Sequence, residues 1–180
     1  MRKDFVRNIL LSSFALLLLA GSASADFVTA DFDGDAKSDY SVFRPSTGTF
    51  YIVNSAFGTI SVTQWGQACD RVIDGDFDGD GRADIGIWRP SNGQWWIRPS
   101  SGNPSFIVRT WGNSSFGDIP VTGDYDGDTK SDMAIYRPGS PAQWFILSSS
   151  SNWNSSMVIQ NFGTTGDIPV AATYKDCSCP

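Results

Sequence analysis

The sequence predicts an all-β fold of propeller-type blades, each a sheet of four antiparallel strands. Two observations carry that prediction. An acidic cluster recurs as "DFDGDAKSD" (31–39), "DFDGDGRAD" (76–84) and "DYDGDTKSD" (124–132), so Asp31, Asp76 and Asp124 are 45 and 48 residues apart. Around each cluster lie four short runs of period-two alternation separated by turn residues, with no helical stripe beyond residue 25. Repeats of about 40–50 residues with four strands apiece indicate blades. A β-sandwich of some twelve strands is the structural alternative, but it would not require the sequence to repeat itself.

The elements follow in order. Arg2, Lys3 and Arg7 precede an apolar run over 9–20, and "SASAD" offers Ala23 and Ala25 for cleavage before Asp26. That run falls short of the roughly 20 residues that span a bilayer. Residues 1–25 therefore read as a signal peptide, with the mature chain secreted or otherwise extracytoplasmic, the periplasm included, and without a membrane span. Residues 26–180 form one repeat domain, with blades at about 26–66, 67–112 and 113–163 and a partial unit at 164–180. Each unit opens on a strand before its acidic cluster ("VTADFDGD", "VIDGDFDGD", "VTGDYDGD"). A second strand ends in Arg-Pro ("DYSVFRP", "DIGIWRP", "DMAIYRP"), and a turn follows ("STG", "SNG", "GSP"). A third strand is aromatic ("TFYIVNS", "QWWIRPS", "QWFILSS"), and a fourth closes the unit ("ISVTQWG", "FIVRTWG", "MVIQNFG").

The acidic clusters with their inner Gly34, Gly79 and Gly127, and the pairs Trp65-Gly66, Trp111-Gly112 and Phe162-Gly163, make the chain resemble the FG-GAP or VCBS repeats. Such repeats occur in the integrin α-subunit head and in many secreted bacterial proteins, and the resemblance covers nearly all of 26–180. It implies a propeller with calcium held in a loop between the first two strands of a blade. It also implies an extracellular binding or adhesion module, lectin-like or directed at protein. This chain departs from the family in blade number: it has three full units, and a propeller ring needs at least about four. A fourth unit begins with "GDIPVAATYKD" (166–176), but Thr173 and Lys175 stand where Asp124 and Asp126 stood, so it has no cation site. An open arc, a homo-oligomer that closes the ring, and a piece of a longer protein all remain open.

The acidic clusters have their own physical logic. Two carboxylates about 5 Å apart repel by roughly 3 kcal/mol at an effective dielectric near 20. Gathering several on one loop is unfavourable unless a cation sits among them. Oxygen-only ligands on a flexible loop suit Ca2+ better than Mg2+, which demands tight octahedral geometry. The expected ligands are Asp31, Asp33, Asp35 and Asp39, then Asp76, Asp78, Asp80 and Asp84, then Asp124, Asp126, Asp128 and Asp132. Position 7 of each loop, Lys37, Arg82 or Lys130, is expected to give only its backbone carbonyl while its cation faces water. About three calcium ions result. A helical EF-hand loop would need Gly at position 6 and Glu at position 12, and none of the loops meets both requirements.

Composition removes other classes. The chain has no His and no Glu, which excludes His-based triads, His-ligated zinc and Glu acid/base pairs. Losing residues 1–25 takes the formal net charge from −6 to −8, and an acidic surface without a basic cluster does not suit nucleic acid. Asp74 alone breaks the repeat, being aligned with Thr122, and one unmatched acid does not make an active site. No enzyme activity is expected; a purely structural scaffold is the alternative to a binding module, and an Asp-dependent carbohydrate-active enzyme ranks behind both. Trp88, Trp95, Trp96, Trp144 and Phe145 fit either a sugar-stacking surface or packing between blades, and the taper of a propeller favours packing. Arg44, Arg89 and Arg137 recur at one blade position and could brace a neighbouring loop or carbonyl, or grip a ligand carboxylate. Cys69 is expected to pair with Cys177 or Cys179, with three free thiols as the alternative.

Overall fold

The structure, a computed structural model, describes residues 29–154 and 157–171. The expected signal peptide, Cys177, Cys179 and the end of the fourth unit lie outside the described residues. Eleven strands are described: β1 (Tyr40–Arg44), β2 (Thr49–Val53), β3 (Ile60–Gln64), β4 (Arg71–Ile73), β5 (Ile85–Arg89), β6 (Gln94–Arg98), β7 (Ile107–Thr110), β8 (Ile119–Pro120), β9 (Met133–Arg137), β10 (Gln143–Leu147) and β11 (Met157–Asn161). They form three antiparallel meanders, ordered β1-β2-β3, β4-β5-β6-β7 and β8-β9-β10-β11. The fold is all-β, with one blade-like sheet per repeat. No helix among the described residues is long and apolar enough to cross a membrane.

Strand alternation gives each sheet two faces. In blade 2 Ile87 points one way and Trp88, Trp95 and Ile97 the other, and all four are fully buried because a blade covers each face. Blades 2 and 3 share the main core, in which Ile73, Trp88, Trp95, Ile97 and Ile107 meet Met133, Ile135 and Leu147. Each fully buried large side chain of this kind contributes about 2–3 kcal/mol. The indoles find partners, as buried Trp must. Trp88 and Trp95 donate to the Trp111 carbonyl at 3.0 and 2.9 Å. Between blades, Trp65 donates to the Trp96 carbonyl at 3.1 Å and Trp111 to the Phe145 carbonyl at 3.3 Å. Trp88 and Trp95 are thus packing residues and not a sugar platform.

The recurring arginines act inside their own blades. Arg89 forms a two-pronged ion pair with Asp70 at 2.9 Å on each prong, and Arg137 does the same with Asp118 at 2.7 and 2.9 Å. Their partners are therefore neither neighbouring loops nor carbonyls. Asp70 and Asp118 also accept the amides of Gln67 and Asn113, so each clasp ties the end of one strand to the turn that opens the blade. Cys69, on the turn beside Asp70, is disulfide-bonded.

Two elements differ from the four-strand expectation. The first sheet has three described strands, because the opening of its unit falls mostly before residue 29. The opening of the fourth unit, 166–171, carries no strand. β4 and β8 are held by pairing with the next strand of their own unit, and no described strand follows residue 171.

Candidate metal centres

Each acidic loop brings three carboxylates together. The groups are Asp31, Asp33 and Asp39; Asp76, Asp78 and Asp84; and Asp124, Asp126 and Asp132, each with one oxygen per residue within 4.8 Å of the others. These are loop positions 1, 3 and 9. The loop closes because position 1 accepts backbone amides from two later residues. In the second loop Asp76 Oδ1 accepts Gly79 N at 2.6 Å and Oδ2 accepts Gly81 N at 2.7 Å. The first and third loops repeat this through Gly34 and Ala36, and through Gly127 and Thr129. The position-4 glycines have φ of 80 to 82°, where a side chain is disfavoured.

Position 9 fastens the loop to the rest of the blade. Asp84 Oδ2 accepts Phe77 N at 2.8 Å, and Oδ1 accepts Ser100 N, beyond β6, at 2.7 Å. Asp39 and Asp132 make the equivalent bonds to Ser55 N and Ser149 N. Position 3 reaches the same turn, where Ser101 Oγ donates to Asp78 and Ser150 Oγ to Asp126. These serines escaped the sequence reading. Their signal was the Ser that ends each aromatic segment, "VNS", "RPS" and "LSS".

Position 5 stands outside the triads. Asp35 pairs with Lys37 Nζ at 3.0 Å, Asp80 with Arg82 at 2.8 Å, and Asp128 accepts Ser149 Oγ at 2.8 Å. The cations of Lys37 and Arg82 therefore serve their own loops directly. Arg82 and Lys130 also lay their aliphatic stems over the glycine of the preceding loop: a Cβ on Gly34 or Gly79 would meet them at 2.9 Å. The backbones interlock too, since Asp31 O accepts Ala83 N and Asp76 O accepts Ser131 N, both at 2.6 Å.

Burial raises the Asp76 and Asp132 carboxyls and pushes Asp84 up to about 7, with the charges of Asp78 and Asp76 adding to the rise. The hydrogen bond from Lys37 lowers Asp35. For Asp80, burial acts upward, and hydrogen bonds from Ser100 and Arg82 outweigh it. Asp74, the acid outside the repeat, is raised by burial, which outweighs the backbone hydrogen bonds it accepts from Ala30 and Gly75.

The donor set fits a hard cation. It is oxygen-only, and the described amides take one lone pair from each oxygen of Asp84 and from Asp76 Oδ2, leaving others open. A charge among buried, mutually repelling carboxylates also removes the penalty that raises Asp84. Asp31, Asp33 and Asp39, and their counterparts in the other loops, could hold a metal ion.

Residues 76–135 match the family described as FG-GAP-like repeat. No curated protein and no solved structure matches the chain. The matched segment starts at position 1 of the second loop, runs through β5–β8 and the third loop, and ends at Ile135 in β9. From the middle acidic loop to the strand behind the third, this chain carries an FG-GAP-like repeat.

Proposed function

We propose that the chain is an extracellular, calcium-stabilised repeat module that binds a glycan or a protein and performs no catalysis. One observation carries the calcium reading: the same carboxylate triad stands at the same place in all three blades, tied by amides to the turn beyond each aromatic strand. The ion would supply positive charge where folding has gathered negative charge. The chain's own part is to orient the carboxylates and to lock the loop to the blade. FG-GAP-like repeats commonly hold calcium and are typically extracellular, which supports both halves of the reading. The net charge of −8 after loss of residues 1–25 argues against a nucleic-acid partner.

The test is metal analysis and thermal melting of the mature protein. About three calcium ions per chain are expected. Chelation should lower the melting temperature by several degrees and millimolar calcium should restore it, because an ion that binds only the folded state stabilises it. Metal-free protein whose melting ignores both treatments overturns the calcium reading. A glycan array, followed by binding assays with extracellular matrix proteins, tests the binding role. Silence in both, with calcium intact, favours a purely structural scaffold, a reading suggested by how many loop hydrogen bonds end within the blade itself.

A further inference from the structure

Three features recur from blade to blade, one closing each blade on itself and two joining it to the blade before, and the two ends of the arc hold unmatched counterparts of all three. The first feature is a charge clasp. Asp70 and Asp118 are buried against Arg89 and Arg137. Asp167 occupies the same place in "GDIPV", yet it is exposed and in no ion pair among the described residues. Arg44 aligns with Arg89 and Arg137, and Ala25 stands where its carboxylate partner would be. Arg44 is nevertheless posed like its equivalents. Its guanidinium lies 4.3 Å above Tyr51, as Arg89 lies 5.6 Å above Trp96 and Arg137 4.6 Å above Phe145.

The second feature is the loop overlap. Arg82 and Lys130 cover Gly34 and Gly79, whereas Gly127 faces open space and Lys37, their counterpart, is 72% exposed. The third is the apolar face. Ile87 and Ile135 are buried against the preceding blade, while Val42, aligned with them, is exposed, together with Tyr40, Ile60 and Val62 beside it. At the other end Tyr136, Trp144 and Phe162, aligned with Trp88, Trp95 and Trp111, line a groove of about 610 Å³ with Ile168 and Val170. The hydroxyl of Tyr136 is buried there without a hydrogen-bond partner.

We propose that copies of this chain join head to tail, the β1–β3 sheet of one copy seating on the Tyr136–Trp144 face of the next as its fourth blade, with Arg44 clasping Asp167 across the junction. One placement satisfies all three features: it gives Asp167 its arginine, covers Gly127 with Lys37, and buries the Val42 face against the aromatic groove. A second copy fits because its first blade carries these groups in the register the internal interfaces already use. Such a heterologous contact propagates until the rotation closes a ring.

The test is light scattering on the size-separated mature protein in calcium, over a range of concentrations. The expected mass is that of two or more whole chains. Arg44→Asp and Asp167→Arg should each weaken association at least about tenfold, as reversing one partner of a clasped charge pair does. An equimolar mixture of the two variants should re-associate, because each junction then joins opposite charges again. A monomeric wild type overturns the proposal. So does association that survives both variants, or a mixture that fails to re-form from variants with unchanged melting temperatures. Metal content reports on the calcium reading separately, so either can fail without the other.

Discussion

Asp78 is one corner of the middle triad, and its Oδ2 accepts Ser101 Oγ. Removing it leaves the amide bonds to Asp76 and Asp84 in place, so the loop should persist without its ion. Asp78→Ala is expected to bind about two calcium ions in place of three, by titration calorimetry, and unchanged stoichiometry would contradict the assignment. At this scale positions 1, 3 and 9 were legible, because identical acids recur at fixed spacing. Position 5 looks the same in sequence, yet in the structure Asp35 and Asp80 each pair with the cation two residues on and lie outside the group of three. Position 6 was hidden for another reason. It is left-handed in all three loops, with φ of 65° at Ala36, 84° at Gly81 and 73° at Thr129. Only the second loop advertises this with glycine.

The clasp between Arg89 and Asp70 belongs to the element scale, since it fixes the end of β5 to the turn before β4. Asp70 is fully buried, so removing its counter-charge leaves a carboxylate with only backbone support. Arg89→Met, which keeps the stem and deletes the charge, is expected to cost on the order of 3 kcal/mol in urea unfolding. A loss within experimental error would show that water can reach Asp70. Both halves of the clasp were visible in sequence as recurrences, Arg44, Arg89 and Arg137 on one side and Asp70, Asp118 and Asp167 on the other. What joins them is strand pairing: Arg71 opposite Trp88 brings residues 19 apart in sequence, Asp70 and Arg89, side by side. The period of the chain and its strand order were readable from alternation and turn chemistry. The pairing of particular side chains was not, because it depends on register.

At the scale of the molecule, the number of blades was countable from the repeats, whereas the behaviour of the terminal faces depends on what covers them. The overlap of the loops makes the three sites unequal. Each later loop roofs the one before it, and nothing among the described residues roofs the last: Asp76 and Asp84 are 3% and 2% exposed, while Asp124 and Asp126 lie open to solvent. Ions should consequently depart in sequence, the third site emptying first, which time-resolved lanthanide luminescence on variants that retain a single intact triad would follow. On the calcium reading proposed above, a drop in free calcium would loosen the far end of the arc while the middle still held.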